Sequence, residues 1–531
     1  MKEKIRRNKK YLIAFALILV VGIFLRTYKF HDWLKFSHDQ ARDERIVSNV
    51  LEGKAPLPLL GPNAGGTKFN SGPIYYYFAY VSEAIFGNHP EQMAYPVLFF
   101  AILAIPMLFI FLREYFDRKI SLALTALLSV SYFFVFSSRF SSNPNLIPFF
   151  LLLNLFAFLK IMISKGKALW GWSVVAGLAL GIGLQLHTVY LTIMPVVTLG
   201  VFAYLFFKKF PTAWKSLLII IAVSLLVNIG QIISETQTGW QNSRNFLAGF
   251  EHKSKSQNNM FEGVLWTASC QIRTNIYFVS SLQHQVRCDT ILNPPSVTLS
   301  KNIPFYENLA ADILFSFFGY LLLWRAFKKE PEQGKRNFLA LIALLNAIAF
   351  IEFLFVANVL YINYFIVLSP IPFVLLGFYF DWMRKKIGKH GEIAIIIVTI
   401  ILILTNLARD QKAAVDYQKG RENNIETTTL GDIEAISHYI LLSTPNVSKV
   451  YLSGDAKLAA RFHYPIEYFM ANSGKEALVL WHINDSAMKP GIPIFYIKNG
   501  TGKIVPGQTV HGHAIISGRK FFMQEVILLK N

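Results

Sequence analysis

The basic opening Met1-Lys-Glu-Lys-Ile-Arg-Arg-Asn-Lys-Lys10 runs directly into Tyr11-Leu-Ile-Ala-Phe-Ala-Leu-Ile-Leu-Val-Val-Gly-Ile-Phe-Leu-Arg-Thr-Tyr28. An apolar run of that length crosses a bilayer as a helix. No small-residue cleavage site follows it, and the chain continues into Lys29, so it reads as a retained anchor with its basic start in the cytoplasm. Ten further runs have the same character: 92–112, 120–136, 146–163, 169–186, 189–207, 216–233, 309–326, 337–356, 359–380 and 392–408. Eleven crossings place the C-terminus outside the cell.

Composition agrees with this reading. Of the 531 residues 53% are hydrophobic and only 16% charged, a balance that excludes a string of soluble domains. With 15% aromatic residues the chain is not disordered either. The formal charge of +20 would ordinarily point to nucleic acid. Its distribution argues otherwise. The segments assigned to the inner face (1–10, 113–119, 160–167, 208–215, 325–336 and 381–389) hold 24 Lys and Arg against 6 acids, whereas the long outer loops 29–91 and 234–308 are near neutral. The charge is a positive-inside signature, and no nucleic-acid partner is expected.

The expected fold is therefore mainly α: a polytopic transmembrane helical bundle over 1–409, with outer loops 29–91 and 234–308. A small extracytoplasmic α/β domain is expected over 410–531. In that tail a helix is predicted near Leu430–Leu442, with strands near Lys449–Leu452, Ile494–Ile497 and Phe521–Leu529. The stretch Pro73–Phe86 is too short and aromatic to span, and is predicted to lie in the membrane interface.

Candidate chemistry gathers in the outer segments. Ser37 and Gln40 have capping-box spacing, predicting a helix from His38 that stops at Gly53. Asp39 and Asp43 share one face of it. Asp39 reads either as a base for an acceptor hydroxyl at the membrane edge or as a solvated capping carboxylate. In the turn Phe136-Ser-Ser-Arg-Phe-Ser-Ser-Asn-Pro-Asn-Leu146, Arg139 is the only charge between two apolar runs. It suits a phosphate or, equally, snorkels to lipid headgroups. His187 falls at an outer helix end. Glu352 lies inside an apolar run, which implies a cavity or a partner. Lys68 could reach a phosphate from the first loop or be solvated there.

Phosphate-loop, His-Glu-x-x-His and Gly-x-Ser-x-Gly motifs are absent from the sequence, so ATP-driven transport and zinc or serine hydrolysis have no support. The only two cysteines, Cys270 and Cys288, are open to pairing or to remaining thiols. No metal-ligand spacing is present, and no metal site is predicted.

Asp39-Gln-Ala-Arg-Asp43, Gly72-Pro-Ile-Tyr-Tyr-Tyr77, Ser138-Arg-Phe-Ser-Ser-Asn-Pro-Asn145 and Gln185-Leu-His187 together resemble the GT-C superfamily of membrane glycosyltransferases, in particular protein O-mannosyltransferases and lipid A aminoarabinose transferases. The resemblance is clear over about residues 10–210 and fades in the tail. It implies transfer of one sugar from a polyprenyl-phosphate donor to a glycan, lipid or protein acceptor at the outer face of the cell membrane. It also implies Asp39 as the catalytic acid/base position and Arg139 as a phosphate contact. The chain departs from those relatives at Asn143, where they carry an acid, and at Gly72-Pro73, where the aminoarabinose transferases have a Lys before the Pro. These departures leave a divalent cation open. Tyr75, Tyr76 and Tyr77 read as guides for lipid or sugar, or as a headgroup belt. The rival functions are a secondary transporter and a membrane receptor with an external sensing domain.

Overall fold

The computed structural model describes residues 2–255, 260–281, 299–357, 360–419, 429–454, 456–479, 492–499, 510–516 and 521–526. In chain order α1 (Lys2–Thr27) is followed by α2 (His38–Leu51) and α3 (Ile74–Phe86) in the first outer loop. The bundle continues through α4 (Pro90–Leu112), α5 (Arg118–Val130), α6 (Tyr132–Ser137), α7 (Ile147–Ile161), α8 (Gly166–Leu186), α9 (Thr188–Phe207), α10 (Ala213–Val227) and α11 (Ile229–Gln237). Then come α12 (Gln241–Lys255), α13 (Met260–Ser280), α14 (Leu299–Lys329), α15 (Gln333–Leu354) and α16 (Ile371–Lys419). Among the described residues eight helices are long and apolar enough to cross a membrane, and the bent pair α10–α11 would make a ninth. The protein is a multi-pass membrane protein. The α7 span is 72% buried and forms the centre, whereas that of α1 is 11% buried and lies at the lipid-facing rim.

Several predicted runs are broken, and two of the breaks carry a polar tie to a neighbouring helix. The run 120–136 divides at Ser131, whose hydroxyl donates to Phe278 O at 2.7 Å, while Tyr132 N–H donates to Asn406 Oδ1 at 3.1 Å. Backbone freed inside a membrane must find such partners within the protein. The run 216–233 bends by 66° beside Asn228, whose amide donates to Gly181 O at 2.9 Å. The run 359–380 begins as a 3-10 turn (Ile362–Leu368) before α16 starts. The run 392–408 lies in the same helix, after a non-helical Gly388. Because α16 continues to Lys419, the expected domain boundary at 409 falls inside a helix.

The region 234–308 is not simply a loop. Its α13 packs against α14, α15 and α16, with Thr267, Cys270 and Phe278 fully enclosed. Polar residues hide this helix from hydropathy, and two of them are bonded to neighbouring helices within the bundle. Gln271 Nε2 donates to Tyr320 OH at 2.7 Å and to Asn346 Oδ1 at 2.6 Å, and Asn275 Nδ2 donates to Ser316 Oγ at 3.0 Å. Cys270 is disulfide-bonded, and its only possible partner, Cys288, lies outside the described residues.

At one end of the bundle Arg113, Arg118, Lys119, Lys335, Arg384 and Lys385 surround a cavity of about 730 Å³ with Asp117, Glu330, Asp381 and Glu392. Three of the segments predicted to face inward, 113–119, 325–336 and 381–389, thus converge. The tail forms α17 (Leu430–Ser443), β1 (Lys449–Gly454), α18 (Ala456–Asn472), β2 (Glu476–Val479), β3 (Ile494–Asn499), β4 (Val510–Ile516) and β5 (Phe521–Val526). The sheet order is β2-β1-β3-β5-β4, with β1 parallel to β2 and β3, and β5 antiparallel to β3 and β4. The predicted helix and three strands are present as α17, β1, β3 and β5.

Among the described residues the larger core of the tail is shared with the first outer loop and α4. Phe30, Leu34, Phe36, Ala41 and Ala94 share it with Leu430, Ile433, Ile436, Val450, Phe462 and Ile466. Backbone pairing continues the contact, since Leu430 N–H donates to Leu34 O at 2.7 Å. Phe36→Ala is expected to cost about 3–5 kcal/mol, as for other buried aromatic truncations. Thermal unfolding of the detergent-solubilised protein, together with protease cleavage of the tail, would check this.

Candidate active site

The capping box predicted at Ser37 forms, with both Ser37 N–H and Oγ bonded to Gln40 Oε1, so α2 starts where its sequence says it should. It also stops as expected, with Gly53 in the left-handed region at φ +70. Gln40 Nε2 then donates to Ser141 O at 3.0 Å, which fastens α2 to the turn that carries Arg139.

The two aspartates occupy contrasting environments on this helix. The Asp39 side chain is 64% exposed and that of Asp43 only 5%. Arg42 joins them: Nη1 donates to Asp39 Oδ1 at 3.1 Å, while Nε and Nη2 reach Asp43 Oδ1 at 2.9 and 2.8 Å. Tyr76 OH donates to the same Asp43 oxygen at 2.8 Å. Burial pushes the Asp43 carboxyl up to about 6, against the opposing pull of Arg42 and the Tyr76 hydrogen bond. Asp43 thus serves as an anchor, and Asp39 is the carboxylate left open to a ligand. Sequence reasoning gave Arg42 no role. Its spacing of three from Asp39 and one from Asp43 is the signal that could have placed it between them.

Tyr75 and Tyr76 are buried and face inward, which overturns the headgroup-belt reading for these two; only Tyr77 is partly open. Tyr75 OH pairs with Ser141 Oγ at 2.8 Å, a second tie between α3 and the Arg139 turn. Beneath α2 a pair of carboxyls is enclosed. Burial pushes both Glu44 and Glu83 upward; the neighbouring Glu44 raises Glu83 further, whereas hydrogen bonds from Tyr468 and Glu83 pull Glu44 back down, so the pair shares a proton, and Tyr468 OH of α18 donates to Glu44 Oε1 at 2.9 Å.

Arg139 is nearly enclosed. Its guanidinium donates to the carbonyls of Leu25, Tyr28 and Lys29 at the C-terminal end of α1 and stacks over Trp33 at 5.7 Å. It lines a cleft of about 220 Å³ whose walls are otherwise largely apolar, including Phe24, Trp33, Phe136 and Leu407, with Asp410. The remaining sequence candidates lie elsewhere. Asn143 Nδ2 donates to Leu186 O. His187 caps α9 by accepting from Val189 N–H at 3.1 Å, and its ring meets Tyr364. Glu352 lines a second cavity, of about 90 Å³, with Thr67, Thr188, Thr192, Phe246 and Tyr364. Lys68 is exposed, with its carbonyl accepting from Asn245 of α12 at 3.0 Å. The structure therefore brings Asp39, Asp43 and Tyr76 together. It ties the Arg139 turn to them through Gln40 and Tyr75, and gathers His187 and Glu352 around Thr192 and Tyr364.

Gly72 is explained by contact. A Cβ there would collide with the Gln185 side chain, whose Oε1 accepts from Ile74 N–H at 3.1 Å. The chain has a glycine at this position because α3 rests directly on the end of α8.

Residues 70–230 match the family described as Dolichyl-phosphate-mannose-protein mannosyltransferase. The structure of ArnT from Cupriavidus metallidurans in the apo state superposes with a TM-score of 0.53 at 12% identity, covering 98% of each chain. The fold is GT-C. The structure of the same ArnT bound to undecaprenyl phosphate gives a TM-score of 0.53 at 11% identity, covering 97% of each chain. No curated protein matches the sequence. The matched stretch 70–230 of this GT-C chain carries Tyr76, Arg139, Asn143 and His187, whereas Asp39 and Asp43 precede it.

Tyr76→Phe removes a hydrogen bond that favours the Asp43 carboxylate. The Asp43 midpoint is expected to rise above about 6 in that variant, and any acid limb in activity should move the same way. A pH profile of wild type and variant would check it.

Proposed function

We propose that this protein is a membrane glycosyltransferase that takes a sugar from a polyprenyl-phosphate donor at the outer face of the cell membrane. The observation that carries the proposal is the pair of aspartates on α2, with Asp39 exposed and held in place through Arg42 by a buried Asp43 that accepts from both Arg42 and Tyr76. The GT-C fold and the undecaprenyl phosphate bound by ArnT support the donor class. In this reading the basic N-terminus is cytoplasmic and α2, α3 and the sheet lie outside.

Asp39 accepts the proton of an acceptor hydroxyl or phosphate as its oxygen bonds to the anomeric carbon. The bond from that carbon to the phosphate oxygen breaks, and polyprenyl phosphate leaves with the electron pair. A carboxylate beside the ring also stabilises the oxocarbenium-like charge that develops. Arg139, at the apolar cleft, supplies positive charge toward the lipid phosphate, and the cleft suits a prenyl chain. Its carbonyl bonds to α1 hold it at that position. Lys68, Asn143, His187 and Glu352 are assigned to substrate binding, and of these Glu352 lines an outer cavity. The core that the tail shares with the first outer loop gives the tail a structural task, which favours an enzyme over a sensing receptor.

Asp39→Asn is expected to abolish transfer in membrane vesicles while leaving expression and thermal stability at wild-type levels. Wild-type turnover of a polyprenyl-phosphate sugar by that variant would overturn the assignment. For Arg139→Ala a raised donor KM is expected, and an unchanged KM and kcat would remove Arg139 from the phosphate role. Mass spectrometry of lipid-linked sugars that accumulate without the protein would identify the donor.

A further inference from the structure

Three residues far apart in sequence meet where the outer loop, α4 and the tail join. His31 lies just after α1, His89 is the N-cap of α4, and Glu434 is on α17. His31 Nε2 is 2.8 Å from Glu434 Oε2, and His89 Nε2 is 3.1 Å from Glu434 Oε1. The two imidazole rings are stacked at 5.7 Å, and one ligand atom from each residue lies within 4.8 Å of the others. All three side chains keep partial access to solvent, at 37%, 38% and 28% exposure.

We propose that His31, His89 and Glu434 bind a divalent transition metal of the zinc class, which clips the external tail to the membrane bundle.

The donor set is two imidazoles and one carboxylate, which zinc takes as three ligands with water in the fourth position. Metal–ligand bonds of about 2.0–2.1 Å place tetrahedral ligand atoms about 3.3 Å apart. The two nitrogen–oxygen separations are already close to that. A further feature is the carboxylate behind the ring: Glu91 Oε2 sits 2.9 Å from His31 Nδ1. A metal-bound histidine commonly donates its other N–H to such a group, which orients the ring and raises its basicity. Tyr95 OH in turn holds Glu91 Oε1 at 3.1 Å. His89 has one adjustment to make. Its Nδ1 accepts the Glu91 backbone N–H at 3.4 Å, so ligation through Nε2 moves the ring proton to Nδ1 and releases that long bond. Metal loading therefore displaces a proton from between His31 and Glu434, and binding weakens as pH falls.

The ligands come from two parts of the fold that share a core, so a bound ion adds to the same docking that orders segment 30–36. The site uses neither Asp39 nor Arg139, so its failure and that of the transferase reading are distinguishable.

The test uses the full chain, purified in detergent and stripped with a chelator. Titration with Zn²⁺ is expected to give one tight site per chain and a rise in Tm. Affinity should drop at least tenfold in His31→Ala, His89→Ala and Glu434→Gln, and about 10–100-fold in Glu91→Gln, as for other residues behind a metal ligand. Co²⁺ added to the unaltered chain should give the intense visible bands of a four-coordinate site, a readout that needs no variant to fold. Two results would overturn the proposal. One is substoichiometric Zn²⁺ binding, or binding that the variants leave intact. The other is a Tm that follows pH but not Zn²⁺, which would make the cluster a proton-bridged contact only.

Discussion

Leu34 offers its carbonyl to Leu430 N–H, and Phe30, Leu34 and Phe36 fill a core completed by α17, α18 and β1. On its other side the same short segment pairs Lys35 N–H with Arg139 O at 3.0 Å. A segment held from both directions has one available path, so the first residue of α2 is set in position and direction. Asp39, in the first turn of that helix, inherits its place from this docking, since among the described residues its own side chain pairs with Arg42 and, at 3.6 Å, with His38. The buried Asp43, Tyr76 and the Glu44–Glu83 pair then fasten α2 to α3 and α18 from beneath. Burying so many carboxyls is costly unless each is hydrogen-bonded or shares a proton. That arrangement gives the open carboxylate a rigid base.

The membrane imposes the second constraint. Where the spans bend, the freed Tyr132 N–H is met by Asn406 of α16, and the side chains of Ser131 and Asn228 donate across to carbonyls of neighbouring helices, Phe278 O and Gly181 O. Asn406 contributes at two places, accepting from Tyr132 N–H and donating to Val279 O at 2.9 Å. These interruptions let α6, α13 and α16 meet near the end of α1, where the apolar cleft opens.

Much of this was legible from the chain alone. Hydropathy located the long spans, and local capping chemistry set both ends of α2. These are properties of contiguous residues. What hydropathy could not locate was α13, because Gln271, Arg273 and Asn275 lower its apolar score while finding partners that only the folded bundle supplies. The inward turn of Tyr75 and Tyr76 was equally hidden, since it depends on Ser141 and Asp43 from other segments. For Arg139 the residue was singled out correctly as unusual, but its ties to the end of α1 required the tertiary structure. The cluster of His31, His89 and Glu434 has no sequence spacing to detect.

The shared core also orders events in time. Phe30, Leu34 and Phe36 leave the ribosome long before Ile433, Val450 or Ile466, so their apolar faces have no mate during most of synthesis. The outer loop can reach its final shape only after the tail arrives. A chain without the tail would insert its spans and still lack the contacts that set α2. Arrival of the tail is therefore a late step in placing that helix.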